Sequence, residues 1–362
     1  MKKNLKKIYF FLVKNFFDLV YSKLELANNN FFKKNVKINK IKLSEKSNKN
    51  FAIYEITKSR IYSDNSQNVA VIKKKFLIPK LSTQIKDNFL IKENKNVVFK
   101  TGTRKFLQKK INGNTLSLVQ GASGIHNYGH WMLDILPKLC IAEKFRDLIL
   151  FDAIYVPNIN YSFQKDSLKY FKISNKKLID GSKIRHIYSD KLTIPQHPYW
   201  TLNKDQGRTA NIDPDIIKIL RNKFLKKVKK CKKKKIFIDR SDSKFFHSQI
   251  ENYHEVVKVL RDHDFEIIKL VNMPFKDQVS YFHNAKIIFG AHGAGLCNVI
   301  FSNPKTKLIE IRHQGFKGEL LKNISKINKV NYYRLTSSPK LPLGGFKPDI
   351  YVPIKKLIKL IR

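Results

Sequence analysis

Two segments of this 362-residue chain concentrate side chains able to do chemistry. In KIIFGAHGAGLCN, the residues Gly290, His292, Gly293, Ala294 and Gly295 stand where an apolar run ends. Small residues let backbone amides approach a ligand closely. A helix starting there would aim unpaired N–H groups and its positive dipole end at an anion. A diphosphate is the natural guest; a tight turn that needs glycine for its backbone angles is the plainer reading. The spacing departs from the GxGxxG dinucleotide fingerprint, and no GK[ST] follows as in a P-loop, so a dehydrogenase and a P-loop kinase are both disfavoured. Glu310, near the end of the run KLIEI, is either an acceptor for the two hydroxyls of a ribose or a solvated acid at a strand end. Asn298, three residues past Gly295, either orients the loop or touches the ligand.

The second segment is GHWMLDILPKL, residues 129–139. Trp131, Met132, Leu133, Ile135, Leu136 and Leu139 make it apolar nearly all round, so it should be a buried helix. His130 and Asp134 are four residues apart and share one face, with Lys138 one turn on. Burial shifts pKa values, so the pair is a candidate for acid–base work, or else a structural pair that stabilises the helix. Pro137 removes one backbone hydrogen bond and should kink the helix. His126 extends the series to His126, His130 and Asp134, a metal-binding set only if all three lie on one helix. Gly129 and the turn around it argue against that, and neither a metal nor a cofactor is expected.

The surrounding pattern says what must position these residues. Residues 1–26 read as a basic amphipathic helix: Leu5, Ile8, Tyr9, Leu12, Phe16 and Leu19 recur at spacings of three and four among lysines. It suits either an anionic membrane surface or the protein's own core. Residues 27–50 read as a loose connector. Short β-like runs follow at 51–56, 68–72, 96–99 and 115–120, then a helix at 128–147, a strand at 153–157, a helix near 162–171 and an extended stretch at 183–194. Asp213-Pro214 is a strong helix start. Beyond the lysine run at 226–235, strands (236–239, 265–270, 286–290, 307–311) alternate strictly with helices (252–262, 274–285). Continuous apolar strands in that alternation imply a parallel, Rossmann-like sheet covered on both faces.

Seventy-two Lys and Arg against 28 Asp and Glu give a formal net charge of +44. Clustered cations first suggest nucleic acid. Only eleven of the basic residues are Arg, however, the side chain suited to bidentate phosphate and base recognition. The excess is also diffuse, and Lys, Asn and Ile together look like the imprint of an AT-rich genome. No nucleic-acid partner is therefore expected. The alternative, binding through the 226–235 run, predicts salt-dependent affinity for DNA or RNA. Hydrophobic content of 42% supports buried cores. Three scattered cysteines fit a reducing compartment, and IYFFLV is too short for a signal peptide. The expectation is a cytoplasmic protein, peripheral on the inner face of a membrane if its amphipathic ends dock there.

GHWMLDILPKL, and far downstream FEIIKLVNMPFKDQVSYFHNAKIIFGAHGAGLCNVIFSNPKTKLIEI, together resemble glycosyltransferase family 61, whose members share an HW…D.LP segment, a segment ending in HGAgl.N..F, and an iEi strand. The resemblance spans about 120–157 and 236–312. The family usually carries a second Arg ahead of the next helix; here Asp239-Arg240-Ser241 fits the start, but the next basic residues are Lys244 and His247.

The resemblance implies an α/β protein with two Rossmann-like domains facing a cleft (GT-B type). It implies inverting transfer, usually without an essential metal, from a nucleotide-sugar donor (a UDP-sugar first) to a saccharide or lipid-linked saccharide in bacterial capsule, lipopolysaccharide or other surface polysaccharide synthesis. A non-catalytic nucleotide-sugar-binding module is a further alternative. The expected layout is a basic segment and connector (1–50), an acceptor-side domain (51–225), a nucleotide-sugar domain (226–340) and a tail (341–362) whose helix crosses back onto the first domain. Asp134 is the first choice for general base and His130 the second. His292 and Gly293–Gly295 would hold the diphosphate, Arg240 would neutralise it and Glu310 would take the ribose.

Overall fold

The computed structural model of the protein describes residues 2–64, 68–83, 85–86, 89–103, 108–119, 127–198, 212–226, 228–229, 231–242, 249–316, 318–337 and 349–362. The chain divides into two units, Met1–Lys204 and Asp205–Arg362. The border therefore comes before the helix Pro214–Phe224, not at the lysine run. That helix starts as its sequence predicts, with Asp213 capping the amide of Asp215 at 2.9 Å. It buries Ile216, Ile217, Leu220 and Phe224, and the Phe224 ring meets Phe275 and Phe301 edge-on. Apolar contact assigns it to the second unit.

In that second unit five strands run parallel: Lys234–Asp239, Phe265–Lys269, Ala285–Ala291, Lys307–His313 and Asn331–Ser337. Numbered in chain order, they lie 2-1-3-4-5 across the sheet. The order reverses between the first and third strands, and ligands of open α/β sheets bind beyond the carboxyl ends at such a switch point. Both faces are covered, as the unbroken apolar strands require. On one face Phe237, Phe289, Val256, Leu260, Ile309, Leu357 and Ile361 form a continuous core. The carboxyl-terminal helix Ile354–Ile361, expected to cross back onto the first domain, buries Leu357 and Ile361 in the core of its own unit, where Val256 and Leu260 meet it.

The first unit carries a nine-stranded mixed sheet. Lys109–Ser117, Ala153–Val156, Leu178–Asp180 and His186–Pro195 form a parallel set, and the short strands Glu25–Leu26 and Phe76–Leu77 make a further parallel pair. The long strand Asn50–Ser63 pairs antiparallel with His186–Pro195, Val69–Lys73 and Lys37–Lys42. Short reversals join Asn50–Ser63 to Lys37–Lys42 and to Val69–Lys73, and with its antiparallel pairs this half departs from the second Rossmann-like domain that was expected. Residues 27–50 are not a loose connector: they hold the helix Asn29–Asn35 and the strand Lys37–Lys42, and bury Phe32 and Val36 in the sheet's core. The run at 96–99 is not a strand either; the short helix Val98–Thr101 begins there, with the Asn96 side chain accepting from the Val98 amide. The amino-terminal helix ends at Tyr21.

The packing of the last helix yields a direct check. Leu357 is fully buried. Leu357→Ala should lower stability by about 3 kcal/mol, measured by urea unfolding, whereas a helix lying free of the second unit's core would lose almost nothing.

Candidate active site

The helix bearing His130 begins at Asn127, whose side chain accepts from the His130 amide at 3.2 Å. Three α-helical residues pass into a π-helical turn, Trp131–Ile135, and the α-helix resumes as Leu136–Phe145. Pro137 has no N–H to give, and the wider turn just ahead of it, closed by the Leu136 amide on the Trp131 carbonyl, absorbs the irregularity. The expected kink is thus a π turn. Trp131 is fully buried and its indole donates to Ser167 Oγ at 2.9 Å, which anchors the turn.

That turn fixes a dyad. His130 Nδ1–H donates to Asp134 Oδ2 at 2.8 Å; the imidazole is 24% exposed and the carboxylate 1%. Asp134 is wholly buried. Desolvation pushes its pKa up, but His130 and His197 outweigh this and hold it well below the usual carboxylate range. His197 Nε2 lies 3.9 Å from the same Oδ2. Burial lowers the His197 imidazole to about 4 and the Lys138 amine to about 7, with Asp134 opposing both shifts. Lys138 donates to the Leu118 carbonyl at 2.8 Å.

The Asp134 carboxylate is closed in by these groups, and the exposed member of the pair is His130. His197 carries no local signal in the sequence. It stands beyond the strand His186–Pro195, where Gln196 exchanges two hydrogen bonds with the Ala52 backbone, and no spacing ties it to the helix. His126, and with it the proposed metal set, lies outside the described residues. Among the described residues no group of three His, Cys, Asp or Glu side chains is placed to hold a metal ion.

The second cluster sits at the switch point of the parallel sheet. After the strand Lys234–Asp239, the Asp239 carboxylate accepts from the Ser241 amide and hydroxyl, each at 2.9 Å, and from the Tyr253 hydroxyl at 2.9 Å. This turns the chain so that the Arg240 guanidinium donates to the His292 carbonyl. A Cβ on Gly293 would stand 2.8 Å from the Arg240 Cζ, so any larger residue there would push the guanidinium out of its present position, while the extended backbone itself makes no demand for glycine. A Cβ on Gly295 would likewise meet Leu270 at 2.8 Å. The helix that follows, Ala294–Phe301, is of the 3-10 kind. Its first internally bonded amide is that of Leu296, which donates to the Gly293 carbonyl at 3.1 Å. The amides of Gly293, Ala294 and Gly295 are left without a backbone acceptor among the described residues.

His292 repeats the chemistry of His130. Its Nδ1–H donates to Glu310, and its ring packs on Phe316 with centroids 4.0 Å apart. Glu310 is 1% exposed at its side chain and accepts from the Tyr332 hydroxyl at 2.5 Å as well. Burial and Glu310 push the Tyr332 phenol up to about 12, so it remains a donor. Each oxygen of Glu310 thus accepts one hydrogen bond within the protein, and the buried carboxylate holds His292 in place. Asn298 is buried too and donates to Gln278 and to the Gly295 carbonyl, so it orients the loop. Lys244 and His247 lie outside the described residues.

Residues 128–309 match glycosyltransferase family 61, a stretch that contains the His130–Asp134 dyad and the glycine-rich turn. The protein belongs to glycosyltransferase family 61. A beta-1,2-xylosyltransferase of Arabidopsis thaliana is 35% identical over 93 residues, a stretch that covers 26% of this chain and 16% of that enzyme. Solved structures of the iron-containing dodecameric TibC also resemble the chain. One is a heptosyltransferase complex with ADP-D-beta-D-heptose, at 12% identity over 82% of this chain and 81% of that one. The other is from enterotoxigenic E. coli, at 10% identity over 80% and 79%. Both overlays have a TM-score of 0.31, too loose to fix a shared arrangement.

The buried dyad predicts a pH dependence. His197 takes up a proton at about 4 in the fold against 6.5 ordinarily, so the unfolded chain binds more protons between those values. Stability should therefore fall as pH drops from 6.5 towards 4, by on the order of 3 kcal/mol from this group. Asp134, whose folded pKa is depressed, adds to the loss below its ordinary 3.8. Urea unfolding at a series of pH values should show a flatter profile for His197→Gln over that window; coincident profiles would remove His197 from the account.

Proposed function

We propose that the protein is an inverting glycosyltransferase that moves a sugar from a nucleotide-diphosphate donor to a saccharide acceptor. The observation that carries the reading is that the family-matched stretch holds two imidazoles, each tied at Nδ1 by a buried carboxylate. Such a tie fixes the tautomer and leaves Nε2 as the working nitrogen. His130 acts as general base. The acceptor oxygen bonds to the anomeric carbon as the bond from that carbon to the diphosphate oxygen breaks. His130 Nε2 takes the hydroxyl proton, and the nucleoside diphosphate leaves with the bonding pair. His292 and the open amides of Gly293, Ala294 and Gly295 meet the charge on the departing diphosphate, with the Arg240 guanidinium behind the turn. A UDP-sugar is the first donor to try, and synthesis of a surface polysaccharide is the role such a transferase would serve.

The test is a panel of UDP-, GDP-, CMP- and TDP-sugars, read by thermal stabilisation and by slow hydrolysis of the donor. His130→Gln should lower turnover by about a hundredfold or more while nucleotide binding is kept. His292→Gln should weaken nucleotide binding itself. No stabilisation by any of these compounds would sink the proposal, and binding without turnover by the wild type would leave a non-catalytic module in its place.

A further inference from the structure

The amino-terminal helix Lys2–Tyr21 is held at its far end, with Phe10, Val13 and Lys14 half-buried on the same side and the opposite side exposed. Phe17 is buried against Gly102, where a Cβ would collide with its side chain, and Tyr21 lies under the Arg60 guanidinium at 4.7 Å and edge-on to His186 at 5.2 Å. The stripe read from the sequence, Leu5, Ile8, Tyr9, Leu12, Phe16 and Leu19, faces away from these anchors. Each of the six is exposed, Leu12 by 61% and Leu19 by 86%. With Phe11 and Val20 the helix carries eight of the fifteen large hydrophobic residues exposed among the described residues. The other seven are scattered over the remaining chain, as isolated exposed apolar residues usually are.

Charge says what covers the stripe. The helix has five Lys, at 2, 3, 6, 7 and 14, against the single acid Asp18, which pairs with Lys14. Lys6 and Lys7 are exposed. A second copy of the chain would bring another net charge of +44 to the same contact, and an anionic surface would be attracted instead. No helix among the described residues is long and apolar enough to cross a membrane, so the helix would lie along the interface and not span it. An apolar face bordered by lysines matches a bilayer whose acyl boundary takes the apolar side chains and whose anionic headgroups take the ammonium groups.

We propose that the helix Lys2–Tyr21 docks the protein on the surface of an anionic phospholipid bilayer, with Leu5, Ile8, Leu12, Phe16 and Leu19 buried at the acyl boundary.

The full chain would be mixed at low salt with phosphatidylcholine vesicles containing about a third phosphatidylglycerol, and with vesicles of phosphatidylcholine alone, then floated on a density gradient. The wild type should float with the anionic vesicles far more than with the neutral ones. The double variant Leu12→Glu, Leu19→Glu alters two exposed positions outside both His dyads, so its circular dichroism and thermal unfolding should match the wild type. Its vesicle affinity should fall by about tenfold or more. Phe11→Trp should show a blue-shifted emission when anionic vesicles are added. Wild-type protein left in the supernatant would overturn the proposal. So would a double variant that floats as well as the wild type, since charge alone would then do the binding. A wild-type dimer that the double variant turns into a monomer, without flotation of either, would reassign the stripe to a second copy of the chain.

Discussion

A carboxylate taken wholly out of water must be met by donors or give up its charge, and the chemistry of both units is arranged around that requirement. Asp134 and Glu310 are the two carboxylates in question, each essentially inaccessible. Each takes an imidazole Nδ1–H, from His130 and from His292, and each has a second partner close by, His197 for Asp134 and Tyr332 for Glu310. A buried anion with few donors tolerates little movement in them. The carboxylates therefore fix the orientation and tautomer of the exposed rings, while the rings are the groups left in reach of a ligand. The same device serves a proposed proton acceptor in one unit and a proposed diphosphate contact in the other.

The backbone around each ring follows from the need to hold it. In the first unit a π turn brings His130 and Asp134 onto one face just ahead of a proline that could not have completed an ordinary α-helical turn. In the second unit the strand order 2-1-3-4-5 sets the end of the first strand beside the end of the third. Arg240 leaves one and His292 the other, and the guanidinium braces the turn through the His292 carbonyl. Gly293 leaves the space in which the guanidinium sits. Asn298 and Gln278 close the loop from beneath. Little of this cluster is free to vary alone.

Charge has a narrower meaning than its total suggests. Most of the lysines are dispersed, and in the carboxyl-terminal helix the apolar stripe is spent on the protein's own core. The amino-terminal helix looks similar in sequence but keeps its stripe in solvent. Two amphipathic basic segments thus have opposite fates, and the difference lies in whether a complementary apolar surface is within reach.

The sequence by itself determined the alternation of the second unit, the cap at Asp213, the burial of the helix around Trp131, and the pairing of His130 with Asp134, since all of these depend on spacings of a few residues. It also carried the family, through two long blocks of ordered residues. Contacts between distant segments were beyond it. Nothing local marks His197 as a neighbour of Asp134, 63 residues earlier in the chain. Nothing local shows that Tyr332 and His292 both claim Glu310, or that Arg240 stands against Gly293. Which member of an acid–base pair is exposed, and which amphipathic helix finds a partner, are decided by burial. Burial is a property of the packed whole, and only the tertiary structure sets it.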